Sequence, residues 1–300
     1  MQRTEDRFQC SDGTRLARTI WRPDGGPIHE PGRRREHGGP SAVAARGGVL
    51  LVHGMAEHRR RYEQLGAELG NRGFLVWAYD QRGHGQSAPE PWMRRRIPPR
   101  DDWTQLVDDV SELVAALGEA VSGETAARSD GGTRSAPVFA VGHSMGSLVV
   151  RDALASSAVE LCGAVLMGTA GPADIKARVG RVLATLVSAP RSPSTPSKFL
   201  NDMTFAGYNA RFSPAVSEFD WLSRDRAEVE RYVRDPDCGE TMSAHFFREL
   251  ARGTIRVSTR SAFEGVDQRT KLLFLSGAED PVGGEGSGVR EVVERYRRAG

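Results

Sequence analysis

Cysteine is scarce in this 300-residue chain: only Cys10, Cys162 and Cys238. An odd number without metal or redox spacing indicates neither a disulfide framework nor a zinc site. Lysine is as rare, at positions 176, 198 and 271, so nearly all the positive charge is arginine. Neither sign of charge is in excess, since 41 basic and 39 acidic residues leave a net +2. That balance provides no global field to select nucleic acid or an anionic membrane. The arginine runs 33–35, 59–61 and 94–96 lack interleaved aromatics that could stack on bases and read as solvated faces. No apolar run approaches the roughly 18 residues of a membrane span. The opening MQRTEDRFQC has no apolar core of a signal peptide. A cytoplasmic, reducing setting is the default expectation.

What is present is enough for one large domain or a domain carrying an inserted one. The apolar fraction is 39% and the mean hydropathy is −0.44, values of a globular chain diluted by polar segments. Two such segments, 23–47 and 122–136, are rich in Gly, Pro and charge and read as disordered surface insertions. Between them strands and helices alternate. GVLLVHG (48–54), FLVWAYD (74–80), PVFAVG (137–142), LCGAVLMG (161–168) and KLLFLSG (271–277) are short apolar runs of the buried parallel-strand type. Leu106, Val110, Leu113, Val114 and Leu117 mark a long amphipathic helix, and the first 22 residues read as a hairpin turned at 11–13. The pattern predicts an α/β fold: a mainly parallel sheet with helices on both faces. Function in such sheets gathers at the carboxyl ends of the strands. The polar motifs HGM, DQRGHG, GHSMG and GAEDPVG each stand just after an apolar strand.

Gly142-His143-Ser144-Met145-Gly146 fits G-x-S-x-G between a strand and a helix, the turn that lifts a serine hydroxyl clear of a sheet. The helix start directs free N–H groups toward a developing oxyanion. Ser144 is therefore the candidate nucleophile. Read together, HGMAEHRRRYEQLGAELGNRGFLVWAYDQRGHGQS, GHSMGS and LSGAEDPVG resemble the α/β-hydrolase superfamily. More narrowly they resemble its monoacylglycerol lipase and lysophospholipase group, grouped with serine aminopeptidase S33-type hydrolases. The resemblance runs from about residue 5 to residue 300, and the H-G-x-x-E-H-x-x-R-Y pattern from His53 to Tyr62 is its most specific piece. It implies Ser144 as nucleophile, the backbone N–H groups of Met55 and Met145 as oxyanion hole, and Asp280 rather than Glu279 as the triad acid. Asp80, Arg82 and His84 would be structural. No cofactor and no metal is implied.

The triad order in this fold is Ser…Asp…His, yet none of the seven histidines follows Asp280. His53, His58 and His84 belong to loop motifs, His29 and His37 to the first polar segment, and His143 adjoins the serine itself. His245 is the weak candidate for a replacement base. The family pattern would continue with a strand, a histidine loop and a closing helix, roughly 30–50 further residues. The expectation is thus a chain truncated at its C-terminus, nearly inactive by itself, since loss of a triad member leaves only ~10³–10⁴-fold catalysis over water. A genuine loss of the base is the alternative.

The expected organisation is a core over 1–169, a cap or lid subdomain over 170–260, and a second piece of core over 261–300. Residues 170–260 carry nine of the 21 aromatic residues. Ile175, Val179, Val182, Leu183 and Leu186 form a helical apolar stripe there, readable as packed on the core or as a lid lining touching lipid. The function the resemblance implies is hydrolysis of carboxylic esters of the monoacylglycerol or lysophospholipid type, with a small lipid or ester as partner and transient membrane or micelle contact through the cap. The alternatives are a peptidase or thioesterase on the same scaffold, or a catalytically dead ligand-binding protein. Oligomeric state is not legible.

Overall fold

The computed structural model of the chain describes residues 1–23, 45–88, 90, 93, 103–126 and 136–300. Seven strands form one sheet: β1 (Gln2–Gln9), β2 (Arg15–Arg22), β3 (Gly48–Val52), β4 (Leu75–Tyr79), β5 (Val138–His143), β6 (Gly163–Met167) and β7 (Lys271–Leu275). Their order is β1-β2-β4-β3-β5-β6-β7. The β1–β2 and β2–β4 pairs are antiparallel and the rest are parallel. Val52 pairs with Tyr79 on one side and with Gly142 on the other. The three polar motifs that follow these strands therefore leave the sheet at one level.

The central strands lack polar–apolar alternation because both faces are covered. Leu50, Val52 and Ala140 enter one apolar cluster, while Val49, Leu51 and Val141 enter the other. Helix α1 (Glu63–Asn71) lies on the second face, where Gly66 abuts the Trp21 ring so closely that a Cβ would stand 2.7 Å from it. Helices α2 (Trp103–Ala126) and α3 (Met145–Ala155) cover the first face. Leu106, Val110, Leu113, Val114 and Leu117 are all buried on α2, as their spacing predicts.

Between β6 and β7 run α4 (Ile175–Ser188), α5 (Lys198–Phe205), α6 (Arg226–Arg234), α7 (Ala244–Arg256) and α8 (Arg260–Glu264), and α9 (Ser287–Ala299) follows β7. Helix α7 is anchored to the core: Gly253 sits against the Trp103 ring, and the Trp103 Nε1–H and Arg256 Nε–H both donate to Asp152 of α3. Residues 244–256 thus pack with the helices of the first face although they fall inside the 170–260 segment.

Three expectations need adjustment. The apolar stripe of α4 is not packed on the core: Ile175, Val179, Val182 and Leu186 are all at least half exposed. Ala184, on the opposite side of that helix, is the residue buried in the core cluster. KLLFLSG is not a buried strand, since β7 is the last strand in the sheet order and Leu273 is 52% exposed. Its other face, with Phe274, meets Tyr296 of α9. The polar segment expected from 122 begins later, because α2 continues through Ala126. The expected insertions otherwise fall at 24–44 and 127–135, outside the described residues.

The loop after β4 is pinned by charge. Arg82 donates from Nε and Nη2 to the two oxygens of buried Asp109 on α2, both at 2.7 Å, and from Nη1 to Asp12 in the β1–β2 turn. Removing one member of a buried pair strands the other. Arg82→Gln is expected to cost about 3–5 kcal/mol of unfolding free energy, measured by urea denaturation; a loss below 1 kcal/mol, on the order of a surface pair, would show that Asp109 does not need the guanidinium.

Candidate active site

Ser144 stands between β5 and α3 with φ 48° and ψ −118°. A side chain rarely adopts this backbone, and such strain persists only where the surroundings enforce it. They do so through glycines. A Cβ on Gly146 would fall 2.2 Å from the Val52 carbonyl oxygen, and one on Gly142 2.7 Å from that of Gly146. Only without those atoms can the turn press against the end of β3. Ser144 N–H donates to Met167 O at 2.8 Å, and the serine carbonyl accepts Ser147 N–H at 2.9 Å. Ser144 is half-buried, while Met145, the first residue of α3, is buried.

The loop after β3 faces this turn. A Cβ on Gly54 would lie 3.2 Å from Ser144 Cβ and 3.2 Å from His143 Nδ1. Two neutral histidines shape the loop. His53 accepts Gln81 N–H at Nε2, so Nδ1 carries the proton and donates to Gly54 O. His84 accepts Ala56 N–H at Nε2 and donates from Nδ1 to Arg82 O. Burial pulls His53 down to about 4 and His84 down to about 3, so both hold as acceptors at neutral pH. With Ala56 N–H taken by His84, Met55 N–H has no acceptor among the described residues. Ala56 itself has φ 54°, a second strained residue in this loop.

The residue that sequence reasoning missed is Glu57. Its buried Oε1 accepts Gly54 N–H (2.5 Å), the Tyr62 hydroxyl (3.0 Å) and His143 Nδ1 (2.7 Å), and its Oε2 accepts Arg61 Nη1 at 2.5 Å. A glutamate between the apolar strand and Tyr62 was the available signal, but no spacing shows that it reaches a histidine 86 positions away. Burial opposes the Glu57 charge, yet His143 and Arg61 overcome it and hold the carboxyl far below the ordinary range. Burial likewise opposes a charged His143, but Glu57 outweighs it and raises the imidazole, with Asp280 adding in the same direction.

Asp280 follows β7. Its Oδ1 accepts Val282 N–H at 2.9 Å and its Oδ2 accepts the Ser276 hydroxyl at 3.4 Å. The Cβ that Gly168 lacks would stand 3.6 Å from Asp280 Oδ2 and 3.6 Å from His143 Nε2. Asp280 therefore borders the same space as the residue before the serine. Glu279, the rival acid, is exposed and bound to Arg224 at 3.0 Å. In the segment between β6 and β7, Phe205, Tyr208 and Trp221 form an aromatic group with ring centroids 5.0–5.9 Å apart. The Tyr208 hydroxyl is raised by burial and by the Asp280 charge, which places it near that carboxylate.

No imidazole among the described residues hydrogen-bonds to Ser144. His58 is on Asp235, His143 on Glu57 and His245 Nε2 on Arg248. His29 and His37 lie outside the described residues. Asp80 is structural, accepting Arg59 N–H and Gln86 N–H, both at 2.8 Å.

A mainly parallel sheet flanked by helices, with a strained serine between β5 and α3, defines an α/β-hydrolase. The family model described as serine aminopeptidase, S33 matches residues 43–299, and the chain belongs to that family. It is 27% identical to a monoglyceride lipase homolog of Monkeypox virus over 235 residues, covering 78% of this chain and 71% of that protein. It is 29% identical to a monoacylglycerol lipase of Mycolicibacterium smegmatis (78% and 65% covered) and 30% identical to the Homo sapiens monoglyceride lipase (70% and 58%). The chain thus spans less than two thirds of the latter two. A carboxyl esterase of Bacillus coagulans in complex with glycerol superposes with a TM-score of 0.80 at 23% identity, covering 100% of this chain and 87% of that one. A soluble variant of Saccharomyces cerevisiae monoglyceride lipase gives 0.58 at 15%, covering 99% and 94%. These likenesses show the fold. Among the described residues no helix is long and apolar enough to cross a membrane.

Glu57 sets a pH-dependent prediction. The raised His143 stabilises the fold fully below the ordinary imidazole value of about 6.5 and loses that contribution as pH climbs through its folded value. The depressed Glu57 acts at the other end, losing its contribution only as pH falls below about 4.5. The stability difference between wild type and His143→Gln should therefore be largest near pH 5–6 and shrink as pH climbs past the ordinary imidazole value of about 6.5 and through the raised folded value. In Glu57→Gln burial and Arg61 are opposed only by the weaker pull of Asp280, so the His143 NMR titration should move down, below about 6.5. A His143 titration unchanged by Glu57→Gln would sink this account.

Proposed function

We propose that the protein is a serine hydrolase that cleaves carboxylic esters of the monoacylglycerol or lysophospholipid type through an acyl-enzyme. The observation that carries this reading is Ser144, its backbone held at φ 48°, lying against Gly54 and the loop whose Met55 N–H has no acceptor among the described residues. Ser144 Oγ attacks the ester carbonyl. The oxyanion rests on the N–H groups of Met55 and Met145, the second reinforced by the N-terminus of α3. The alcohol leaves, and water then releases the acid from the serine. Asp280 is the carboxylate that orients the imidazole base this chemistry calls for. That base takes the serine proton and returns it to the leaving alcohol. The names of the sequence relatives, monoglyceride and monoacylglycerol lipases, support the ester class.

The segment between β6 and β7 supplies the acyl side. The ring group of Phe205, Tyr208 and Trp221, whose Tyr208 hydroxyl feels the Asp280 charge, would provide an apolar wall for it. The exposed stripe of α4 is flanked by exposed Arg178 and Arg181, and Phe199 and Met203 of α5 are exposed as well. An amphipathic helix of this kind suits contact with an aggregated lipid substrate.

In a form of the protein that also supplies this imidazole base, a fluorophosphonate probe should label Ser144 and add one covalent mass that is absent from Ser144→Ala. Labelling that survives in Ser144→Ala, or an esterase as active as the wild type, would remove the mechanism. Asp280→Asn should slow p-nitrophenyl ester hydrolysis by about 10⁴-fold if it orients a base, whereas Glu279→Gln should leave the rate within about twofold, as expected of an exposed pair worth a few tenths of a kcal/mol. For the α4 surface, Val182→Glu with Leu186→Glu should reduce turnover of vesicle-borne monoacylglycerol while sparing a short soluble ester. Equal loss on both substrates would show that the stripe serves folding.

A further inference from the structure

Away from the serine, three side chains distant in sequence meet at the junction between the loop after β3 and the turn after α6. His58 is buried, its Nε2 is 2.8 Å from Asp235 Oδ2, and these atoms and Cys238 Sγ all lie within 4.8 Å of one another. We propose that His58, Asp235 and Cys238 form a site for one divalent transition-metal ion of the zinc class, with water as the fourth ligand.

The donor set is the first argument. Imidazole, carboxylate and thiolate are the ligand types that zinc takes in tetrahedral geometry, at about 2.0–2.3 Å. Ligands at those distances stand about 3–4 Å apart, so the cluster needs only small side-chain adjustments to close on an ion. The second argument is how the ligands are held. Asp235 Oδ1 is fixed by Asp237 N–H at 2.9 Å, leaving Oδ2 to face the histidine. Cys238 N–H donates to Asp235 O, and this turn brings the thiol back over the carboxylate. Cys238 Sγ has no hydrogen bond among the described residues, so nothing competes for it.

Charge and protons balance. The aspartate and the thiolate neutralise a dication, and the neighbouring Arg61 is already matched by Glu57. The thiol proton passes to solvent as the metal–sulfur bond forms. Because His58 Nδ1 accepts Arg60 N–H at 3.3 Å, Nε2 carries the ring proton. Metal at Nε2 moves that proton to Nδ1, breaks this long hydrogen bond and replaces the 2.8 Å bond from Nε2 to Asp235 by metal–nitrogen and metal–oxygen bonds. The spacing of the cysteines could not reveal such a site, since His58 and Asp235 are 177 positions apart.

The site would join two parts of the chain that already touch through Ala56, whose carbonyl accepts Gly239 N–H and the Tyr232 hydroxyl, both at 2.9 Å. An ion bound only by the folded chain raises stability by mass action. The test is titration of the purified chain with Co(II). One equivalent should produce a thiolate-to-cobalt charge-transfer band that Zn(II) displaces, with a melting temperature that climbs as Zn(II) is added. Cys238→Ala should lose both signals and Cys162→Ala neither. His58→Gln should also lose the band, and if that variant does not fold, Cys238→Ala still decides. No band in the wild type, or a band that persists in Cys238→Ala, overturns the proposal and leaves a hydrogen-bonded histidine and aspartate beside a thiol.

Discussion

One buried carboxylate holds the site region together. Glu57 lies in the loop after β3, yet its oxygens receive the backbone of that loop at Gly54, the side chain of His143 from the end of β5, and Tyr62 and Arg61 from the turn before α1. A buried charge is tolerated only when its lone pairs are satisfied and opposite charge is close. Both conditions are met. The pairing of β3 with β5 brings the loop bearing Met55 N–H and the turn bearing Ser144 off the sheet side by side, and Glu57 then fixes the distance between them. In the proposed hydrolysis, that separation decides whether an oxyanion formed at the serine reaches its donors, and preorganised donors act at no cost of rearrangement during the reaction.

The same region stores strain, and glycine is what makes it bearable. Ser144 and Ala56 both have positive φ without being glycine, each at a cost of order 1–3 kcal/mol. Gly146 has a normal backbone but no room for a side chain, because the Val52 and His53 carbonyls occupy the space. Close approach of α3 to the end of β3 therefore forces the turn, and the turn forces Ser144 out of the sheet. The neutral pair His53 and His84 completes the loop as hydrogen-bond acceptors. Charging either would turn an acceptor into a donor aimed at another N–H.

The fold was largely legible because its cues are local. Apolar runs of six to eight residues became β3 to β6, and the stripe from Leu106 to Leu117 became the buried face of α2. The position of Ser144 was legible for the same reason, since strand, glycine and helix are contiguous. Contacts that cross the chain were not. Glu57 and His143 are 86 positions apart, and the cluster around His58 draws on residues more than 170 positions away. Periodicity also cannot say which side of an amphipathic helix is outside when both sides are apolar. Helix α4 presents Ala184 to the core and Val182 to the exterior, so its stripe looked like a packing face and is instead exposed.

That helix shows how the segment between β6 and β7 divides. Its inner side rests on α7, and α7 is locked to the sheet layer through Trp103 and Asp152, so the base of the segment moves only with the core. Its far part, around α6, is tied to the loop after β3 by Tyr232 and Gly239 on Ala56 O and by Asp235 on His58. These last ties are polar, and they end at the loop that lies against the serine turn. A displacement of α6 would therefore pull first on Ala56, the strained residue next to Met55. In the proposed hydrolysis, the segment around α6 and the oxyanion donor at Met55 would therefore be coupled through Ala56, so that a substrate displacing the one would displace the other.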